Sequence, residues 1–524
     1  MRRSLLALAL AVATVVAPFR AAEAIRYRFT FPRPAEQWMQ VEGSFAELGE
    51  NPLELVMSRS SPGRYAEHDF ARNVYDVHAY AVDGRELRIE RGGRSEWVVP
   101  THSGNVTLRY KVYGNRLDGT YLAIDGTHAH INMPAALLWA RGLADRPATL
   151  TFEAPGNTRW DVATQLYPGA TPGEFTAPNL QYLIDSPVEF GPIMLEPFVV
   201  GPRMFRFAAH HTGTRMELQS LVEDVADIVA EQSAIFGEFP VFETGTYTFI
   251  ADYLSYAAGD AMEHRNSTVM TSPGTIGNAR RELLDSASHE FFHVWNVERI
   301  RPRSLEPFDL ERPNPSGELW LAEGFTQYYG PLTLQRVGLL EVGDTARMFT
   351  TVLNAVSAGA GRLAHSAEEV SRRAVDEDPN GRPPSGVVSY YPLGAAIALA
   401  LDLSLRSRRG PQLSLDDFMR EMWVRFGKPG GARPGYVDRP YTTADVEATL
   451  ASVTGDPGFA RDFVGRYIQG YEIADYRSLL APAGFLVRPA PRGRLEVVPI
   501  EMTGGSLTAS QQTFRRDWLG PKTR

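Results

Sequence analysis

The densest chemistry in the chain lies in His289-Glu290-Phe291-Phe292-His293. On a helix, positions four apart are separated by about 400° of rotation, so both imidazoles project from one face. Neutral imidazoles placed this way can bind Zn2+ at about 2.0–2.1 Å, with Glu290 beside them to take a proton from water. A structural pair of histidines is the other reading of the same residues. A hydrolytic zinc site also needs a third protein ligand and one open position. Downstream, Leu319-Trp320-Leu321-Ala322-Glu323-Gly324-Phe325 sets one acid in an apolar stretch, where a carboxylate is costly without a partner. Alone, Glu323 reads better as a solvent-facing residue of an amphipathic helix; with His289 and His293 upstream, a metal is its natural partner. Two weaker signals flank these. Gly259-Asp260-Ala261-Met262-Glu263-His264 carries a second acid, which by itself reads as a surface Glu263 at a strand end. Ser389-Tyr390-Tyr391-Pro392-Leu393-Gly394 opens an apolar helix. A phenol beside zinc can donate to an oxyanion, but alone either tyrosine reads as packing.

Composition narrows the chemistry. The chain has no cysteine, which excludes disulfides, thiolate-bound zinc, iron–sulfur clusters and cysteine proteases. Any metal site must be built from His, Asp and Glu. The 524 residues, 44% hydrophobic and 22% charged, describe a globular protein of roughly two to four domains. A formal charge of -9 without a basic block argues against nucleic-acid partners. Arg2 and Arg3 precede the apolar run Leu5–Val16, and Ala22-Glu23-Ala24 supplies a cleavage pattern. This predicts a leader over 1–24 and an exported chain starting at Ile25. The run is too short to span a bilayer, and no other approaches that length, so the chain is not expected to cross a membrane.

The elements that must position these residues follow from periodicity. Alternating segments such as Arg26–Phe31, Val74–Val82 and Val106–Val112, separated by Gly-rich turns, predict an antiparallel β-domain over 25–200. Its His128 and His130 share one strand face, but no third ligand is evident, and packing or surface roles are preferred. From Met216 the period becomes helical, with candidates at Met216–Phe236, Glu282–Val297, Glu318–Val337 and Tyr391–Arg406 around a strand at Thr246–Ala251. The expected fold is α+β and multidomain, with a β-domain followed by a mainly α catalytic domain over 201–480. A short C-terminal segment covers 481–524.

Together, HExxH followed by Trp295-Asn296, the run LWLAEGFTQYY, the upstream AMEH and the downstream YYPLG resemble the glycyl aminopeptidases (metallopeptidase family sixty-one), relatives of aminopeptidase N. The resemblance also covers the β-rich region and Phe463–Gly484, so it spans most of the mature chain. It implies a thermolysin-like catalytic domain with one Zn2+ per chain, held by His289, His293 and Glu323. Glu290 would be the general base, and Glu263 the acid that recognises a free α-amino group. Tyr391 would be the oxyanion donor, Tyr390 lying one place out of register. Asn296 and Glu318 are guesses for residues bracing the histidines. The implied activity is zinc-dependent removal of N-terminal residues from peptides with a free N-terminus, with small residues (Gly, Ala) preferred, in the periplasm or secreted. The spacing from His293 to Glu323 is longer than in aminopeptidase N proper and suits the glycyl branch. Family members commonly carry a PDZ domain, of which 481–524 would be at most a remnant. Two alternatives remain at this stage. A zinc endopeptidase on the same scaffold would cut blocked peptides, and a non-catalytic zinc-containing peptide-binding protein would cut none. Substrate identity and oligomeric state are not written in these motifs.

Overall fold

Strict alternation along Ile25–Thr30, Trp38–Phe45 and Val106–Tyr113 puts Tyr27, Phe29, Met39, Val41, Leu108 and Tyr110 on one buried face. In the computed structural model these strands lie inside an eight-stranded sheet. The structure describes residues 23–156, 158–357, 364–377, 383–384, 386–409, 413–431 and 433–521. All but the last two residues of the expected leader lie outside them. The large sheet is antiparallel except where Ile25–Thr30 runs parallel to Ala148–Glu153. Two four-stranded sheets complete the N-terminal region. His128 and His130 are neither surface nor ordinary packing residues; both are fully buried against acidic side chains.

A five-stranded sheet starts the C-terminal half, in the order Met194–Val200, Arg203–His211, Thr246–Tyr253, Ser267–Ser272, Asp260–His264. The position expected to divide the domains, residue 200, falls within its first hairpin. Thr246–Tyr253 runs parallel to both neighbours, and helix Arg215–Phe236 makes the crossover from Arg203–His211. Thr214 and Glu217 close a capping box at that helix's start, and Gly237, at φ 81, ends it in the left-handed conformation glycine tolerates. The edge strand carries Glu263 opposite Thr268.

The helix bearing the histidines runs over Ile276–Phe292 rather than 282–297. It starts early because Thr275 and Asn278 form a capping box. It stops early because Trp295 must reach the core, where its ring stacks on Phe236 at 4.5 Å. The chain turns there, and Val297 takes φ 96, a conformation that costs a β-branched residue about 1–3 kcal/mol. The helix expected over 318–337 is two helices, Leu319–Ala322 and Gly324–Arg336, with Glu323 at the break. Helix Tyr390–Arg409 packs against both. The C-terminal segment is a hairpin, Phe485–Ala490 with Arg494–Pro499, and helix Ala509–Leu519. Its buried Trp518 donates from Nε1 to Tyr328 Oη at 2.9 Å, which docks it on the helix following Glu323. One hydrophobic cluster runs from Ile25 to Leu519 through both halves. Among the described residues, no helix is long and apolar enough to cross a membrane.

Candidate active site

His289 lies in the last turn of its helix and His293 is the residue that caps it, so their rings still share one face. Their Nε2 atoms are 3.2 Å apart. Glu323 Oε2 lies 3.6 Å from His289 Nε2 and 3.4 Å from His293 Nε2. Metal–ligand bonds of about 2.0–2.2 Å in a tetrahedron give ligand separations of about 3.3–3.5 Å, so this triangle fits a zinc ion. The His293 tautomer agrees. Nδ1 donates to the Asn296 carbonyl oxygen at 2.7 Å, which in the neutral ring leaves the Nε2 lone pair facing the centre. Of the three, His289 lies nearest solvent, at 16% exposed, while His293 and Glu323 are 1% and 2% exposed.

Asn296 holds the site in a second way. Its side-chain amide donates to the Leu321 and Ala322 carbonyls at 3.0 and 2.9 Å, tying the end of the histidine helix to the break that presents Glu323. Glu318, the other residue expected to brace the histidines, instead accepts from Ser316 and lies near Ser304 and Thr443. The glycines of the two downstream motifs have a shared explanation. A Cβ on Gly394 would overlap the Trp320 carbonyl oxygen, and one on Gly324 would overlap the Gly394 Cα. The helices bearing Glu323 and Tyr391 therefore cross with backbones in contact. Tyr391, half-buried, is brought with its ring centroid 6.2 Å from that of His289. Tyr390 is turned into the core, edge-on to Tyr65.

Glu290 is buried with Oε2 unpartnered. One ligating atom each from Glu263, Glu290 and His293 lies within 4.8 Å of the other two. The structure thus brings all six sequence-derived residues together: His289, His293, Glu323, Glu290, Glu263 and Tyr391. Burial pushes the Glu290 carboxyl well above the ordinary range and Glu263 up to about 8. Burial pushes Glu323 the same way, but His293 and His289 outweigh it and hold that carboxyl well below the usual range. Three buried carboxylates around two imidazoles are short of positive charge, which a metal cation and a substrate ammonium would supply.

The N-terminal half supplies residues that sequence reasoning missed. Tyr65 Oη donates to Glu323 Oε1 at 2.9 Å, on the oxygen opposite the one facing the imidazoles. Gly63, at φ 75, lies against Glu263, where a Cβ would meet the carboxylate. Arg64 donates to Asp260 Oδ2 at 2.5 Å and to the Ala261 carbonyl, anchoring the loop to the strand of Glu263. Nothing in the run Ser61–Tyr65 signals this, because its role exists only once the two halves dock. Tyr65→Phe keeps the ring and removes the hydroxyl. Metal affinity, measured by chelator competition, is expected to fall about 10–100-fold with the fold unchanged; unchanged affinity would show that the hydroxyl does not orient Glu323.

Residues 26–192 match the Peptidase M61 N-terminal domain, and residues 282–397 match the family described as M61 glycyl aminopeptidase. An aminopeptidase N family protein from Idiomarina loihiensis shares 25% identity at a TM-score of 0.80, over 93% of this chain and 82% of that one. An M1 zinc metallopeptidase from Deinococcus radiodurans shares the fold at 15% identity and TM-score 0.51, over 87% and 95% of the two chains. A mutant of an M1 zinc metallopeptidase from that organism, bound to a Tyr-Ser-Ala substrate, is similar to the same degree. No curated protein matches the chain by sequence.

Proposed function

Because the chain belongs to the peptidase M61 family, its two matched segments covering just over half its length, we propose that it is a zinc-dependent aminopeptidase that removes small N-terminal residues, Gly and Ala, from peptides. That it is a peptidase follows from the family. The preference for Gly and Ala rests on the family, and the restriction to a free N-terminus is carried by one observation, the placement of Glu263 with a ligating atom within 4.8 Å of both Glu290 and His293. A carboxylate that close to the reacting atoms can pair an α-ammonium only if the scissile bond is the first one.

His289, His293 and Glu323 would hold the zinc ion. When bound, zinc supplies Lewis acidity that polarises a carbonyl and acidifies water. Glu290 takes a proton from the attacking water on Oε2, the oxygen with no partner in the protein, and returns it to the leaving nitrogen. Tyr391 donates from Oη to the carbonyl oxygen as it gains negative charge. Glu263 pairs the substrate ammonium, and burial around it strengthens that pairing by excluding water. We assign the division into a β-domain and a catalytic domain near residue 200, and an exported location on the leader pattern of 1–24.

Glycyl- and alanyl-p-nitroanilide, each beside its N-acetylated form, test the reading directly. Chelator-sensitive cleavage of only the free-amine substrates is expected. Cleavage of the acetylated forms would move the assignment to an endopeptidase. No cleavage by metal-loaded protein would make it a binding protein. Glu263→Gln is expected to lower kcat/KM for the free-amine substrates roughly 10–100-fold, the value of one charged hydrogen bond. An unchanged kcat/KM would remove Glu263 from amine recognition.

A further inference from the structure

A second group of metal-ligating side chains lies where the N-terminal half meets the five-stranded sheet, and the active site does not use it. His210 and Asp252 are register partners on the parallel strands Arg203–His211 and Thr246–Tyr253. Facing them are His128, which precedes strand Ala129–Ile131, and Glu189 on the adjacent strand Val188–Gly191. One ligating atom from each of the four lies within 4.8 Å of the other three. The side chains of His128, Glu189 and Asp252 are completely buried and that of His210 is 14% exposed. Nevertheless His128 Nε2, Glu189 Oε1, His210 Nδ1 and both Asp252 oxygens have no hydrogen-bond partner. Leaving that many buried polar atoms unpaired is costly, and here they converge on one point.

The surroundings are those of ligands held in place. His128 Nδ1 faces outward, 3.3 Å from Asp125 Oδ1 and 3.1 Å from Thr127 Oγ1, which leaves Nε2 for the centre. His130 Nδ1 lies 3.2 Å from Glu189 Oε2, so a neutral ring with its proton there donates to that carboxylate, and it stands 3.1 Å from Asp252 Oδ2 without a hydrogen bond to it. Carboxylates behind ligating imidazoles, and donors behind ligating carboxylates, orient metal ligands in this manner. We propose that His128, Glu189, His210 and Asp252 bind a second divalent ion, zinc by its donor set, that staples the N-terminal half to the sheet carrying Glu263. Two neutral imidazoles and two carboxylates balance a charge of +2. Four protein ligands leave no place for substrate, as in a structural zinc site. His210 Nδ1 and His128 Nε2 stand 3.7 and 4.0 Å from Asp252 Oδ1, about 0.4 and 0.7 Å beyond a tetrahedral edge of about 3.3 Å, so the ligands close in slightly on the ion. The competing state is metal-free, with His128 and His130 protonated against Asp252 and Glu189.

Counting metal decides between them. The full chain, stripped with a chelator, reloaded with Zn2+ and freed of excess by gel filtration, is expected to hold about two zinc ions by elemental analysis. The doubly substituted chain His289→Ala, His293→Ala is expected to keep about one. Asp252→Asn with His210→Gln is expected to keep about one as well, with a lowered melting temperature. One zinc in the wild-type chain and none in the His289→Ala, His293→Ala chain would overturn the proposal in favour of the charge network. That count needs no change at the second site, so it stands even if the Asp252→Asn, His210→Gln chain does not fold.

Discussion

Glu290→Gln is expected to lower kcat for alanyl-p-nitroanilide by about 10²–10⁴-fold, the usual contribution of a positioned general base, and to leave metal content unchanged. Glutamine fills the same volume but cannot accept a proton from water. The glutamate is not needed as a metal ligand, since the triangle fitting zinc is completed by Glu323 Oε2. Stability should hold or rise. Glu290 is one of three buried carboxylates that repel one another, and burial already pushes its carboxyl upward, so a neutral amide relieves a cost. The measurements are kcat, zinc per chain and melting temperature on one preparation. Turnover at the wild-type rate would remove Glu290 as the base, and loss of metal would move it into the ligand set.

Tyr391→Phe is expected to lower kcat by about 10²–10³-fold with KM little changed, the signature of a donor used only as charge develops on the carbonyl oxygen. The ring, and hence its position near His289, is preserved. Tyr390→Phe is the control. Its ring is buried against Tyr65, and its loss of a hydroxyl should appear in stability rather than in kcat. A large kcat effect at Tyr390 and none at Tyr391 would exchange the two assignments.

The candidate site was legible unevenly. HExxH needs only helical periodicity to converge, whereas Glu323 reads as a ligand only with those histidines upstream, and Glu263 and Tyr391 gain their expected roles only through the family resemblance. What periodicity could not supply was where the elements end. The histidine helix stops at Phe292 because Trp295 has to enter the core, and the following helix breaks at the very residue that must turn inward. Such endings are set by tertiary packing, which overrides propensity. The mostly alternating strands of the N-terminal sheet were legible for the same local reason, but the parallel pairing of Ile25–Thr30 with Ala148–Glu153 was not, because register between distant segments leaves no local trace. Tyr65 was invisible for that reason too. His128 and His130 were seen without a third ligand, since Glu189 joins them only through pairing of distant strands, and His210 and Asp252 only across the contact between the halves.

The crossing of Gly324 and Gly394 fixes more than the approach of two helices. The residue just before one glycine is the third metal-ligand candidate, and the residue three before the other is the oxyanion donor candidate. Their separation is therefore gauged by backbone touching backbone, with no side chain available to adjust it. A single methyl group at either glycine would act as a wedge, leaving every reactive group present and their mutual alignment lost. Any reshaping of the cleft consequently falls to its walls, such as the Gly63–Tyr65 loop beside Glu263, while the crossing itself leaves no room for change.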